Sequence, residues 1–399
     1  KKEDICLFIK KKVVYSFWMY CFLYKFKRGE IDMLPYIIVF VITEGLAIFI
    51  NEKNNKKTTL FFTLVIIFIL SVFGGMRSKD IGTDLSVYGY RWFEIACNSS
   101  NFMSYESKIN GDIGYLFLNY IVSRFTCNFN VFLFILQFIS NFLVIITLYR
   151  YKKQVPFWLS LMCFLTMFYC RNFNILRQSI SLAIVFYMIK YLEEKNKIKF
   201  FLGIGVASLF HYSAVFGIVL YFIYEFCNNK EKKNKKRMYI IIGISILTCI
   251  FIEPVIRYLY YLKIVNYRVY NYLFEYTKSE LDVSIFDEIF KIFVLTIIFI
   301  KAKKITKIWN LNYFLILSTI LEFIFYQLRI KIDFADRISL YFGYFVMLIM
   351  PQCYPFIPRC NGKEKVISKC IIVSILCLFW YYKFVYCGSC EVYPYSSIF

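Results

Sequence analysis

The 399-residue chain holds a single histidine, His211, no Asp-x-Asp pair and no tight grouping of cysteines. A metal centre needs His, Cys or carboxylate ligands at set spacings, so divalent-metal chemistry is disfavoured and no metal or other cofactor is expected. GxxxxGK[ST] is absent, which removes the phosphate-cradling loop that direct ATP coupling would use. GxSxG is absent too, so there is no nucleophile elbow. Acidic residues are scarce: 26 Asp and Glu stand against 48 Lys and Arg, a formal charge of +22. The 14 cysteines fall mostly inside apolar runs, where a thiol behaves as a small hydrophobe. Only Cys387-Gly-Ser-Cys390 has paired spacing, without the thioredoxin-like context that would make it a redox motif. No cleavable signal sequence and no internal repeat is expected.

What the chain has in abundance is apolar length. Sixty per cent of its residues are hydrophobic, mean hydropathy is +0.57, and runs of about fifteen to twenty apolar residues recur throughout. This is the pattern of an all-α, polytopic membrane protein. The lysines cluster in short turns between these runs, as charges that orient membrane helices do, so the basic balance does not imply nucleic acid. Spans are expected at 33–50, 59–73, 129–149, 154–170, 175–192, 197–210, 212–226, 238–253, 287–301, 310–328, 336–350 and 366–386, about twelve in all. Basic turns at 51–58, 150–153, 190–199, 227–237, 301–307 and 359–369 then fall on one side, the cytoplasmic one. That parity requires Ile113 to Phe125 to be interfacial or re-entrant, and Lys197 to Phe226 to make two short passes with His211 at their tip, in a recess below the outer surface.

The same parity gathers the unusual polar groups on the opposite side. Arg77, Asp80 and Asp84 follow the second span, and Arg171 and Arg177 lie between the fourth and fifth. His211 caps the hairpin, and Arg329, Asp333, Asp336 and Arg337 flank the eleventh. Ionisable groups near bilayer depth are costly unless paired or lining a wet cavity, so they mark functional candidates. Helices starting near Asn174 and Asp336 bring unsatisfied N–H groups to the same place. Together with the arginines they would form an anion site suited to phosphate or diphosphate. Each group also has an ordinary role: an arginine anchoring a helix end, Asp84 and Thr83 capping a helix, Asp333 and Asp336 pairing with Arg329 and Arg337, and His211 as a satisfied structural group. Most Tyr and Phe are expected to face lipid, with Tyr88, Tyr341 and Tyr395 able to stack on sugars.

Six segments carry a resemblance. GGMRSKDIGTDLSVY (Gly74 to Tyr88), DIGYLFLNYIV (Asp112 to Val122), NILRQSISLAI (Asn174 to Ile184), FHYSA (Phe210 to Ala214), DRISLYF (Asp336 to Phe342) and PYSSIF (Pro394 to Phe399) resemble, in order and spacing, the EpsG family of Wzy-type polysaccharide polymerases. Asp112 stands where that pattern has Glu before Gly-Tyr. The resemblance implies a fold like GT-C-like lipid-linked-sugar glycosyltransferases. It also implies a metal-independent glycosyl transfer at the outer face of the bacterial cytoplasmic (inner) membrane. The partners implied are an undecaprenyl-diphosphate-linked oligosaccharide and membrane lipid, with a chain-length regulator or flippase besides. The product would be a capsule, exopolysaccharide or O-antigen.

In that scheme Arg77, Arg171, Arg177 and Arg337 hold the donor diphosphate, and Asn174 and Gln178 assist, with Tyr88 and Tyr341 on the sugars. His211, at an ordinary pKa near 6.5, is the leading base, with Asp84 second. An O-antigen ligase, or a flippase or transporter of lipid-linked sugars, uses similar groups; a transporter would show charges near span centres and repeat symmetry. Residues 1–32 lie outside the resemblance, and the domain is expected to run 33–399 from a start at Met33. Deleting 1–32 is expected to leave membrane insertion and activity intact in a cellular complementation assay. Loss of expression or activity would contradict that start.

Overall fold

The computed structural model describes residues 31–53, 55–228, 234–265, 285–307, 311–332, 336–354 and 362–397, with 267, 270, 274 and 309 singly. Residues 1–30 of the expected extension, Asp333, and parts of the 253–286 loop and of the basic turns 227–237 and 359–369 lie outside the described residues. Every described regular segment is helical. The helices are α1 (Leu34–Glu52), α2 (Lys56–Gly75), α3 (Tyr90–Cys97), α4 (Ile113–Ser123), α5 (Phe129–Arg150), α6 (Phe157–Phe164) and α7 (Leu176–Glu193). They continue with α8 (Lys197–Phe210), α9 (Gly217–Asn228), α10 (Asn234–Tyr261), α11 (Ile285–Ile305), α12 (Asn312–Tyr326), α13 (Asp336–Gly343) and α14 (Gly362–Trp380).

The sequence marks several of the starts. Pro35 opens α1, where its missing N–H costs nothing. Asn55, Asn128 and Asn196 cap α2, α5 and α8 by accepting bonds from first-turn N–H groups.

Among the described residues six helices are long and apolar enough to cross a membrane: Leu34–Glu52, Lys56–Gly75, Phe129–Arg150, Met238–Tyr261, Asn312–Ile330 and Val366–Tyr386. Each of the twelve expected spans is helical, but half are shorter, more charged or interrupted. α7 and α11 reach 18 and 21 residues while carrying Arg177 and Lys190, and Asp287, Glu288 and Lys291. The expected span 154–170 is α6 followed by a wider π-helical turn, Leu165–Tyr169. The expected span 336–350 is broken: α13 ends at Gly343, a turn follows, and Val346–Ile349 leads into a 3-10 turn that contains Pro351. α4 has only 11 residues, about 16 Å of helix, which does not reach across a bilayer. In the apolar window of α10 only 6% of residues are buried. Leaving that face in water would forfeit about 25 cal/mol per Å² of apolar surface, so it calls for apolar surroundings such as a bilayer.

The bundle has two chemically distinct ends. At one, the basic turns meet: Arg150 pairs with Glu194 at 2.8 Å, Lys152 donates to Thr59 Oγ1 at 2.9 Å, and the Phe157 amide donates to Asn51 Oδ1 at 3.1 Å. Tyr151 bonds Glu193 there and packs on Trp309. At the other end the loop after α2 is clamped by the C-terminal segment, with the Ser78 amide donating to Ser396 O at 2.8 Å and Gly82 to Glu391 O at 3.0 Å. Tyr36 and Tyr395 fix the same segment through Val392 O and Phe73 O. Gly82 has φ +94°, and a Cβ there would stand 2.7 Å from Phe173 O, so only glycine lets this loop lie against the turn that carries Arg171. Gly114 plays the equivalent part for α4, where a Cβ would meet Leu209 O at 2.8 Å, so Asp112 arrives beside the hairpin tip.

Candidate active site

Helix α13 organises the polar end. Its first residue, Asp336, is ion-paired with Arg171. The carbonyl of the next, Arg337, accepts from Gln178 Nε2 at 2.8 Å. One turn on, the Tyr341 hydroxyl lies 3.1 Å from Ser181 Oγ of α7 and 3.0 Å from Ser213 Oγ of the hairpin tip. Just past its end, Tyr344 donates to Asn172 Oδ1 at 2.8 Å. The arginine turn, α7 and the histidine hairpin are thus all tied to one short helix.

Arg177 pairs with Asp112 at 2.7 Å, and Asp112 also accepts the Tyr212 amide at 3.4 Å. The Arg177 guanidinium lies over the rings of Tyr88 and Trp92, at 4.7 and 5.3 Å to their centroids, so two aromatic faces add attraction where water is scarce. Its Nε has no partner among the described residues. Asp84 accepts from the Tyr88 hydroxyl and, at 3.2 Å, from the Leu176 amide at the start of α7, while its own amide donates to Asn174 Oδ1 at 3.1 Å. The exposed N–H of that helix start is therefore already answered by the protein's own carboxylate. Burial pushes both Asp84 and Asp112 above the usual carboxylate range, against the pull of the nearby arginines.

His211 is buried, with Nδ1 2.6 Å from Ser213 Oγ, and its ring stacks on Tyr212. Burial first, and the positive charges of Arg177 and Arg337 second, push its imidazole down to about 3. The expected ordinary value near 6.5 is thus corrected: the ring is neutral at physiological pH because an added proton would sit in a dry pocket facing two guanidiniums. Nε2 meets no hydrogen-bond partner among the described residues.

The site residues named from sequence do not all converge. Arg171, Arg177, Arg337, Gln178, Asn174, Asp84, Tyr88 and His211 gather around the start of α13 and α7. Arg77 does not join them. It is fully buried, donates to Gly74 O and, at 3.3 Å, to Phe173 O, and stacks 4.4 Å over the Phe173 ring. Its guanidinium serves backbone carbonyls, and the Arg77 carbonyl is itself held by Asn130 at 3.0 Å. Tyr341 is enclosed and engaged through its hydroxyl, so it presents no open face to a sugar, and Tyr395 has one ring face stacked flat on Phe73. Cys387 and Cys390 are free thiols.

Sequence reasoning passed over a second ionic cluster, joined to the first through Arg171. Lys291 pairs with Glu322, Lys383 with Asp287 at 2.6 Å and Arg329 with Glu288 at 2.6 Å. Arg171, Asp287, Lys291, Glu322 and Lys383 line a cavity of about 50 Å³, room for a water or two. The available signal was each ionisable residue's position inside an otherwise apolar run. Trp92, Ser181 and Ser213 were likewise not singled out, and Asp112 was noted only for standing in place of Glu, not as the partner of Arg177.

No curated protein and no solved structure matches the chain. The family model described as EpsG family matches residues 60–397, which takes in every site residue above. That match, on a helical membrane scaffold, points to a Wzy-like polysaccharide polymerase, a glycosyltransferase in general terms. Over most of its length, then, the chain belongs to the EpsG family.

Proposed function

We propose that the protein polymerises lipid-linked oligosaccharide repeat units at the outer face of the bacterial cytoplasmic membrane, through about twelve crossings of which the short ones carry the site. The observation that carries this reading is that the guanidiniums of Arg177 and Arg337 lie close enough to the buried His211 ring to act on its charge, at the end of the bundle opposite the basic turns. The donor is a glycan on undecaprenyl diphosphate, and the acceptor is a non-reducing sugar hydroxyl of another unit. The acceptor oxygen attacks the donor anomeric carbon as its proton passes to His211 Nε2. The bond from that carbon to the diphosphate oxygen breaks, and undecaprenyl diphosphate leaves with the electron pair.

Arg177 and Arg337 meet the charge that grows on the leaving group, a preorganised effect able to contribute several kcal/mol in a dry site. Arg171 holds α13 through Asp336 and stands at the pocket's edge. Asp84 and Asn174 fix the start of α7, Tyr88 supports Arg177, and Gln178 fixes Arg337. Arg77 anchors the loop beneath them without touching substrate.

Donor binding also makes the base stronger. A diphosphate set against Arg177 and Arg337 offsets the charges that help hold the imidazole near 3, so its value rises toward 6.5 when donor is bound. In a pH titration followed by nitrogen NMR, adding undecaprenyl diphosphate is expected to move the His211 midpoint upward by about one pH unit or more. No movement would contradict a diphosphate beside these arginines.

Replacing Arg177 alone leaves Asp112 as a buried, unpaired charge, which commonly costs about 3–5 kcal/mol. The informative variant is therefore Arg177→Gln with Asp112→Asn, which removes both charges together. This double variant is expected to stay in the membrane and to lose polymer formation at least a hundredfold, measured with purified protein and synthetic lipid-linked repeats. Wild-type chain lengths would overturn the role of Arg177.

A further inference from the structure

We propose that Ser181, Tyr341 and Ser213 form a one-way hydrogen-bond chain that fixes the tautomer of His211, placing the proton on Nδ1 and leaving Nε2 bare. The direction follows from counting hydrogens. Ser181 Oγ donates to the Ala207 carbonyl at 3.0 Å, and a carbonyl can only accept. A serine hydroxyl has one hydrogen, so at the 3.1 Å contact with Tyr341 it must accept. Tyr341 then spends its own hydrogen on Ser181 and accepts from Ser213 at 3.0 Å. Ser213 has spent its hydrogen in turn, so at 2.6 Å its oxygen accepts from His211 Nδ1–H. A neutral imidazole carries one N–H, so the lone pair of Nε2 is left to take a proton.

The opposite tautomer would reverse the links and strip the Ser181 hydrogen from Ala207 O, exchanging that 3.0 Å bond for a longer one from the Ser213 amide to Nδ1. One contact favours that reversal: the Ser213 amide points at Nδ1, at 3.4 Å. That distance is long for a hydrogen bond, and it weighs less than a 2.6 Å contact backed by a complete chain. Enclosure keeps the order intact. Ser181, Tyr341, Ser213 and His211 are all buried, so water does not reach in to reset it.

The tautomer assignment stands on the hydrogen-bond geometry of a neutral ring; its catalytic use rests on the reading of His211 as the base. When Nε2 takes the acceptor proton the ring becomes an imidazolium, and Nδ1–H already donates to an oxygen whose dipole is aligned by the chain. Tyr341 and the two serines touch no reacting atom and are positioning residues. This also accounts for a tyrosine in the DRISLYF segment whose face is closed to sugar: its hydroxyl is what the site uses.

The chain's single histidine makes the test direct. Full-length protein carrying a histidine-free affinity tag and nitrogen-15-labelled histidine gives one imidazole, whose two nitrogen shifts report which is protonated. Wild type is expected to show Nδ1 protonated in severalfold excess, the difference between a short buried hydrogen bond and a long one. Tyr341→Phe, which keeps the ring and removes only the hydroxyl, is expected to raise the Nε2–H share severalfold. It should also lower kcat severalfold while KM stays within twofold. A wild-type ring protonated on Nε2, or a tautomer ratio unmoved in Tyr341→Phe, overturns the inference. His211→Ala separates the two claims. If it polymerises at the wild-type rate while wild type shows Nδ1–H, the tautomer assignment holds and the base role falls.

Discussion

Helix α13 reaches its neighbours through side chains spread along its whole length, and this anchoring is what makes a site out of distant parts of the chain. The Arg171–Asp336 ion pair joins residues 165 apart in sequence, and the Tyr341–Ser213 and Tyr341–Ser181 contacts span 128 and 160 residues. Broken helices are tolerated at membrane depth only where their freed polar groups face protein or a wet cavity. The turn after Gly343 meets that condition: Gly343 packs on Glu322, and Tyr344 reaches Asn172. A continuous span would carry Asp336, Arg337 and Tyr341 along a straight apolar helix; the break leaves them on a short piece that α7, α12 and the hairpin hold from three sides.

Charge balance explains why so many ionisable groups survive here. A lone guanidinium or carboxylate in this environment would cost several kcal/mol, and among the described residues most are matched: Arg177 with Asp112, Arg171 with Asp336, Lys291 with Glu322, Lys383 with Asp287. Such pairs are poor sources of net stability but good sources of position, since either partner alone is heavily penalised. The carboxylates thereby hold the guanidiniums of Arg177 and Arg171 in fixed positions. Asp84 does the same for the start of α7, whose N–H it occupies.

Much of this was legible in the sequence because hydropathy controls it. Apolar runs gave helices in all twelve expected segments, the segment from Ile113 is a short helix as its length suggested, and His211 is buried in the turn between two short helices. Pairing was not legible, because a single chain does not say which charges meet. Asp112 lies 65 residues from Arg177, and Lys383 lies 96 from Asp287. Arg77 reads like the other arginines until the carbonyls of Gly74 and Phe173 are seen to take its N–H groups. The break in 336–350 was hidden because leucine, tyrosine and phenylalanine on either side of Gly343 keep the run apolar throughout.

The account depends on a polyprenyl diphosphate lying between Arg177 and Arg337 with its sugar carbon facing His211 Nε2. An electron cryomicroscopy map of the protein in a lipid nanodisc with a non-hydrolysable lipid-linked repeat unit tests this most directly. The account predicts phosphate density in contact with both guanidiniums and the first sugar within a few ångströms of Nε2. Diphosphate density on the lysine-rich end of the bundle, or a sugar remote from His211, would contradict it.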